Sequence, residues 1–481
     1  MIEFSNCISL GMHRSVERGN TLQKQHPVRD ASLTGCTGRN VRTFSTERYI
    51  PIRDVKNCYM FFIFHSLMNI KMKLQFFFVA LAFGAYGCTT SLPQGDGSVV
   101  EIKVSGNKVF VLVLDKVKSG TVTIPLSSLV EGLDMVQLES HHDAFFDPTI
   151  ATITVVENYI GVRPIYADNY KLFDRSGKFL RTVSRRGRGP GEYQNSIKDD
   201  IIDEKNELIY LSVWPGKIFV YKISGQLLKE ITVPQGFSTP IMFLSDDILS
   251  VVDVPERYQP YEGRRGYDDE YMLFKFDVNT GGVLEKLPPP FEHLIMRKQG
   301  GNIESAQNVQ GVFDIVPNYY ITDQYDTLYH IDVKRNKILP FFTMEYKFTN
   351  ARDKPIFFQL NKDLMMTTLK ETTPAGYYVE KDLIAIDLKN KTSSRVKIVN
   401  DYLGNMDALD IGYHRKFHKG YYVFSIQPED LMEDIEKRLT ERSCTEEDRE
   451  ILKKTLSKLK EGTNNVVFFG KLKEEINAKL W

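Results

Sequence analysis

Cysteine is scarce in this chain, with 5 among 481 residues: Cys7, Cys36, Cys58, Cys88 and Cys444. Their spacing matches no paired Cys-x-x-Cys arrangement, which excludes the common structural zinc folds. Long apolar runs are equally lacking. Leu74 to Phe83 runs without a charge but is too short to cross a bilayer, and no other stretch reaches about 18 apolar residues. Neither sign of charge is in excess, with 62 Lys and Arg against 62 Asp and Glu. From Cys88 onward the balance is 51 basic to 57 acidic residues. A mildly acidic body excludes general nucleic-acid binding, which needs a basic face. Catalytic signatures are missing as well. There is no Gly-x-Ser-x-Gly elbow, no motif-grade Ser/His/Asp arrangement, and no glycoside-cleaving carboxylate pair that stands out, so no catalytic residue is assigned.

Aromatic residues, by contrast, are plentiful. Phe, Trp and Tyr make up 12% of the chain, with 24 Tyr and 30 Phe, a composition that leans towards strands.

The front of the chain reads as a targeting segment. Residues 1–71 show no sustained period of 2 or 3.6. They are expected to be a disordered upstream extension, with the true start at Met72 or Met68. Residues 72–87 then have a signal-peptide layout: Lys71 and Lys73, the uncharged run from Leu74, and small residues before Cys88. Ala85-Tyr86-Gly87-Cys88 resembles a bacterial lipobox, which makes Cys88 the expected site of lipid attachment. Residues 88–98 (Thr89 to Ser98 is TTSLPQGDGS) read as a polar tether. Multiple acyl chains would anchor the protein in a membrane without a spanning helix. With Cys88 acylated, only Cys444 keeps a thiol, and no internal disulfide is expected.

Past the tether a hairpin repeats. Tyr170-Lys-Leu-Phe-Asp174 is followed by Ser176-Gly177, Ile218 to Lys222 by Ser224-Gly225, and Leu273 to Asp277 by Thr280-Gly281. Weaker copies are Leu328 to Asp332 with Arg335-Asn336, and Leu383 to Asp387 with Asn390-Lys391. Gly or Asn supplies the positive φ of a tight hairpin. A period of about 50 residues with several strands per unit predicts a β-propeller. Several of these strands are apolar on both faces, as expected of sheets stacked between neighbours. Ala408 to Ile426 supplies strands for a sixth unit, and Val99 to Leu138 would add a strand that closes the ring. Pro428 to Gly462 breaks the pattern. Leu431, Ile435 and Leu439 are spaced four apart, and Thr445-Glu446-Glu447-Asp448 has the form of a capping box, so a helical hairpin is predicted over about 428–462.

Phe173 to Leu180, followed by Gly187-Arg-Gly-Pro-Gly-Glu-Tyr193, resembles the six-bladed β-propeller lipoproteins abundant in gut Bacteroidetes, which are related to NHL-repeat proteins. Leu126 to Val130 with Val136 to Glu139 is similar to that family's opening segment. Asn464 to Val467 and Lys471 to Lys473 are similar to its closing one. The resemblance spans roughly residues 100–475. It implies an all-β, six-bladed β-propeller over 99–476, with the helical hairpin inserted in the last blade, and a cell-envelope address. It implies no established activity.

Candidate ligand-binding residues lie in two loops. Arg185, Arg186 and Arg188 sit among Gly187, Gly189 and Gly191, with Glu192 and Tyr193 following; such a loop suits an anion, for example an acidic sugar. Its glycine spacing is not a dinucleotide fingerprint, and Pro190 removes an N–H that a phosphate would use. As a plain connector, the same loop would pair Glu192 with an arginine and pack Tyr193 between blades. Tyr261, Arg264 and Arg265 lie in a second loop whose aromatics suit sugar stacking. Trp214 is a candidate blade-packing residue. His414 and His418 are four apart, but the residues around them read as an approaching strand. Lys198-Asp199-Asp200-Ile-Ile-Asp203 has carboxylates for calcium, yet its apolar spacing reads as the start of a strand. No metal and no cofactor is expected. The expected function is a non-catalytic binding module for a glycan, peptide or partner protein. The alternative is a propeller lyase or hydrolase working in the central channel, which a convergence of charged groups there would favour.

Overall fold

Each repeated hairpin folds as the outer half of one sheet in the computed structural model. It describes residues 95–104, 106–164, 169–194, 196–213, 216–233, 241–252, 271, 273–288, 301–307, 313–319, 327–345, 354–372, 378–408 and 416–476. Tyr170–Asp174 turns back into Phe179–Ser184, and Lys217–Lys222 into Leu227–Thr232. Leu273–Asp277 turns into Val283–Leu287, Thr327–Asp332 into Lys337–Glu345, and Tyr378–Asp387 into Thr392–Asn400.

The recurring aspartate belongs to the turn. Asp174 accepts from the Ser176 and Lys178 N–H groups at 2.9 and 3.0 Å. Asp277 accepts from Thr280 at 2.6 Å, Asp332 from Arg335 at 2.9 Å, and Asp387 from Asn390 at 2.8 Å. A short carboxylate that binds its own downstream backbone fixes a tight reversal.

A second pair of strands precedes each hairpin and completes a four-stranded blade. These pairs are Ala151–Val155 with Tyr159–Pro164, Ile197–Asp203 with Leu208–Val213, and Ile241–Ser245 with Ile248–Val252. Gly301–Gln307 with Phe313–Tyr319 and Lys354–Gln359 with Leu364–Thr372 complete blades 4 and 5. Blade 6 takes Phe417–His418, Tyr421–Ile426 and Val466–Lys471 from the end of the chain, and Asp134–Gln137 from its front. The fold is a six-bladed β-propeller closed by that front strand. First strands of blades 1, 2 and 3 approach one another, as strands nearest the central axis do.

The front segment does more than close the ring. The sequence predicted one added strand; the structure has four. The hairpin Val99–Val104 with Asn107–Val113 lies parallel to the outer strand of blade 4, and Lys118–Pro125 lies parallel to the outer strand of blade 5. Leu112 and Phe110 then pack with Leu328, Phe342 and Ile384. The outer edges of three successive blades are thus covered by one segment, which leaves them unable to pair with another chain.

Apolar side chains of adjacent blades interleave. Tyr170, Leu172 and Val183 of blade 1 share a buried cluster with Ile209, Leu211 and Phe219 of blade 2. Strands apolar on both faces follow from this, because each sheet is covered twice.

Strand polarity sorts the connections between two ends of the ring. At one end are the short turns 156–158, 175–178, 204–207, 223–226, 246–247, 278–282, 333–336, 360–363, 388–391 and 419–420. Among the described residues, the opposite end takes the chain stretches 138–150, 185–194, 401–405 and 427–465. Two helices occupy the last of these, α1 (Pro428–Thr440) and α2 (Glu446–Leu456), between the second and third strands of blade 6. The capping box forms as expected, with the Asp448 N–H donating to Thr445 Oγ1 at 3.1 Å and Asp448 accepting in return. Leu431, Ile435, Leu452 and the buried Cys444 thiol pack on Val466 and Phe468. Residues 1–71, the expected signal peptide and Cys88 lie outside the described residues.

Candidate functional site

Charged side chains gather where blades 6, 1, 2 and 3 meet at the axis. Asp199 and Asp200 lie on the first strand of blade 2, between apolar Ile197 and Ile202, and are buried. The Asp200 side chain has no exposure at all. Arg163, from the second strand of blade 1, places Nε 3.2 Å from Asp200 Oδ1 and donates from Nη1 to the Ile197 carbonyl at 3.3 Å. The Tyr170 hydroxyl donates to Asp200 Oδ2 at 2.9 Å. Lys419, in the first turn of blade 6, donates to Asp199 Oδ1 at 3.2 Å and to the Asp200 carbonyl. The other Asp199 oxygen accepts from the Ile241 N–H of blade 3 at 2.9 Å. Beside them, His418 Nε2 lies 3.3 Å from Thr154 Oγ1 of blade 1.

Gly161 makes this arrangement possible. A methyl group there would overlap the Tyr170 hydroxyl. Gly161→Ala is therefore expected to cost about 1–3 kcal/mol in urea unfolding, the usual range for overpacking. Adding Tyr170→Phe should restore part of it; an unchanged midpoint in Gly161→Ala would contradict the contact.

Electrostatics fix the protonation of this group. Burial acts to raise the Asp200 pKa, but Lys419 and Arg163 outweigh it and hold the carboxyl below the usual range. Burial, reinforced by Asp200, raises the Tyr170 phenol well above its ordinary value. Burial and then Lys419 push His418 down to about 4. At neutral pH Asp200 is charged, while Tyr170 and His418 are neutral. A general acid or base works best with a pKa near the operating pH, and these three are driven away from it. What the geometry can do is tie four blades together.

The basic loop connects the outer strand of blade 1 to this strand. Arg185, Arg186 and Arg188 are exposed and Tyr193 is buried. Glu192 accepts from the Gly189 N–H at 2.7 Å, and its carboxylate occupies the space where a Gly187 side chain would be. The Arg186 guanidinium donates to the Gln194 carbonyl at 3.1 Å, and Gly187 N–H to the Tyr193 carbonyl at 3.0 Å. Tyr193 packs with Tyr170 of blade 1 and Ile197 of blade 2, as the connector reading expected, whereas Glu192 takes a backbone N–H of its own turn where that reading expected an arginine. Tyr261, Arg264, Arg265, Trp214 and His414 lie outside the described residues.

Among the described residues, His141, His142 and Asp143 bring metal-ligating atoms within 4.8 Å of one another. The His141 ring stacks on Phe179, and its Nδ1 accepts from the Asp143 N–H at 3.2 Å, which engages the group in its own turn.

Sequence reasoning placed Asp199 and Asp200 on a strand but nominated none of Arg163, Tyr170, His418 and Lys419 as a unit with them. Two adjacent acids inside an apolar strand were the usable signal. Their partner Lys419 is remote in the chain, and only ring closure brings it close.

Comparison with known proteins identifies the family. The chain belongs to the DUF4934 family, a domain of unknown function, whose pattern matches residues 109–471. A Bacteroides fragilis protein described as exported shares 13% identity, with a TM-score of 0.48 over 74% of this chain and 98% of its own. A DUF4221-family protein of Bacteroides vulgatus shares 11% identity, with a TM-score of 0.39 over 71% of this chain and 96% of its own. No protein of curated function matches the sequence.

Proposed function

We propose that this DUF4934 member is a lipid-anchored, non-catalytic binding module of the cell envelope, taking a glycan, peptide or partner protein at the end of the ring that carries the long connections. The observation that supports it most is the state of the channel. Asp199 and Asp200 are matched by Lys419, Arg163 and Tyr170, and His418 and Tyr170 are held neutral. Charges satisfied this way stabilise an arrangement rather than act on a substrate. The exposed Arg185, Arg186 and Arg188 lie on the end with the long connections, where loops on a rigid scaffold commonly bind. The Ala85 to Cys88 motif and the resemblance to envelope lipoproteins support the anchor at Cys88.

A second reading, a lyase or hydrolase, draws on the same channel, since shifted pKa values cluster at active sites. The Asp200 carboxylate accepts from Arg163 and Tyr170, however, and that weighs against it as a free base.

The test is a thermal-shift screen of residues 89–481 against acidic and neutral glycans. A binder at about 100 times its Kd adds about 2.7 kcal/mol of stability, enough to read as a raised Tm. Arg185→Ala/Arg186→Ala/Arg188→Ala should abolish the shift. A flat screen would sink the glycan form of the proposal and leave a protein partner.

A further inference from the structure

We propose that Lys198, backed by Arg163, forms an anion-binding position at the mouth of the channel, fitted to a carboxylate or sulfate carried by a glycan. This rests on the binding-module reading above and specifies its ligand class.

Three observations carry it. The first is a β-bulge. On the first strand of blade 2, Asp199 pairs with Ser212 and Ile197 with Val213, so Lys198 between them is skipped by the ladder. An extra residue in an inner strand re-aims its side chain, and bulges recur beside functional sites for that reason. Lys198 is exposed, while Ile197, Asp199 and Asp200 around it are buried.

The second is the charge balance. Two cations, Arg163 and Lys419, face the two carboxylates, and Lys198 is the neighbour of Asp199 on the same strand. Asp200 is matched by Arg163 and Asp199 by Lys419. Among the described residues no carboxylate pairs with Lys198, so its charge has no protein counter-ion. Crowding around its amine, and then the Arg163 guanidinium, lower the Lys198 pKa, as expected of a cation beside another cation. A bound anion would offset the repulsion from Arg163.

The third is place. Lys198 stands at the start of its strand, just after the loop of the exposed Arg185, Arg186 and Arg188, and so at the same end of the ring. The lysine contributes a point charge with rotatable donors, suited to carboxylate and sulfate alike.

The experiment uses residues 89–481 with lysines reductively methylated with carbon-13, and follows the Lys198 signal by NMR. Probes are inorganic sulfate, trigalacturonic acid, a sulfated disaccharide and neutral maltotriose. Sulfate and at least one acidic glycan should raise the Lys198 pKa while maltotriose leaves it unchanged. The two acidic glycans separate a carboxylate ligand from a sulfate one. In unmodified protein, Lys198→Met should weaken the acidic glycan by about tenfold or more, the scale of one charge-assisted contact, and Lys198→Arg should keep most of the affinity. The bulged, exposed position makes both variants expected to fold. If an acidic glycan binds wild type and Lys198→Met equally, the anion position is wrong and the binding-module reading survives. If sulfate titrates Lys198 but no glycan binds, the position stands and the glycan reading falls. A Lys198 signal indifferent to every anion overturns the inference.

Discussion

Asp200→Asn is expected to cost about 3–5 kcal/mol of unfolding free energy, the range for breaking a buried ion pair by removing one partner. The substitution keeps the shape of the side chain and deletes its charge. Arg163, only 13% exposed in its side chain, then keeps a buried charge without its partner. The phenol of Tyr170 loses a charged acceptor in the same step. The pair as a whole need not stabilise the fold much, since burying two charges is itself costly. Arg163→Met/Asp200→Asn should therefore recover much of the loss, giving a coupling energy well above that of two independent sites. Urea unfolding of the four proteins in that cycle checks this. A loss under about 1 kcal/mol in Asp200→Asn would mean that the cluster does not tie the blades together.

The second large effect is with pH. The His418 pKa falls from an ordinary 6.5 to about 4 on folding. Between those values the unfolded chain binds a proton that the native chain does not, so stability falls as pH falls. A shift of that size corresponds to about 3 kcal/mol, lost progressively from pH 6.5 to about 4. Asp200 acts in a lower window. Its pKa is held below the ordinary 3.8, so its contribution is present above that value and is lost as pH falls through the native one. Unfolding free energy measured at intervals from pH 7 to 5, above the range where glutamates such as Glu101 and Glu285 titrate, should slope downward in wild type and be nearly flat in His418→Gln. Parallel curves for the two proteins would show that His418 is not held neutral.

Much of the fold was legible because local rules write it. The turn aspartates Asp174, Asp277, Asp332 and Asp387 bind the residues just after them, so each leaves a mark within a few positions of sequence. The Thr445 capping box is equally local. The parallel docking of Val99–Val113 and Lys118–Pro125 on blades 4 and 5 left no such mark, because a strand that pairs with a distant edge carries no turn beside it. The same holds for the channel. Asp199 and Asp200 were visible as acids in an apolar strand, but whether they would bind a metal, solvent or buried cations depended on Arg163 and Lys419. Lys198 looked like one more strand residue until its bulge appeared in the register.

Binding without turnover is the central claim, and one measurement addresses it most directly. Residues 89–481 would be incubated with each glycan that raises the Tm, beside an Asp200→Asn sample, and the glycan recovered and chromatographed. The expected result is unaltered glycan from both samples. Shortened or unsaturated products from wild type, and none from Asp200→Asn, would make the channel a catalytic centre and contradict the claim.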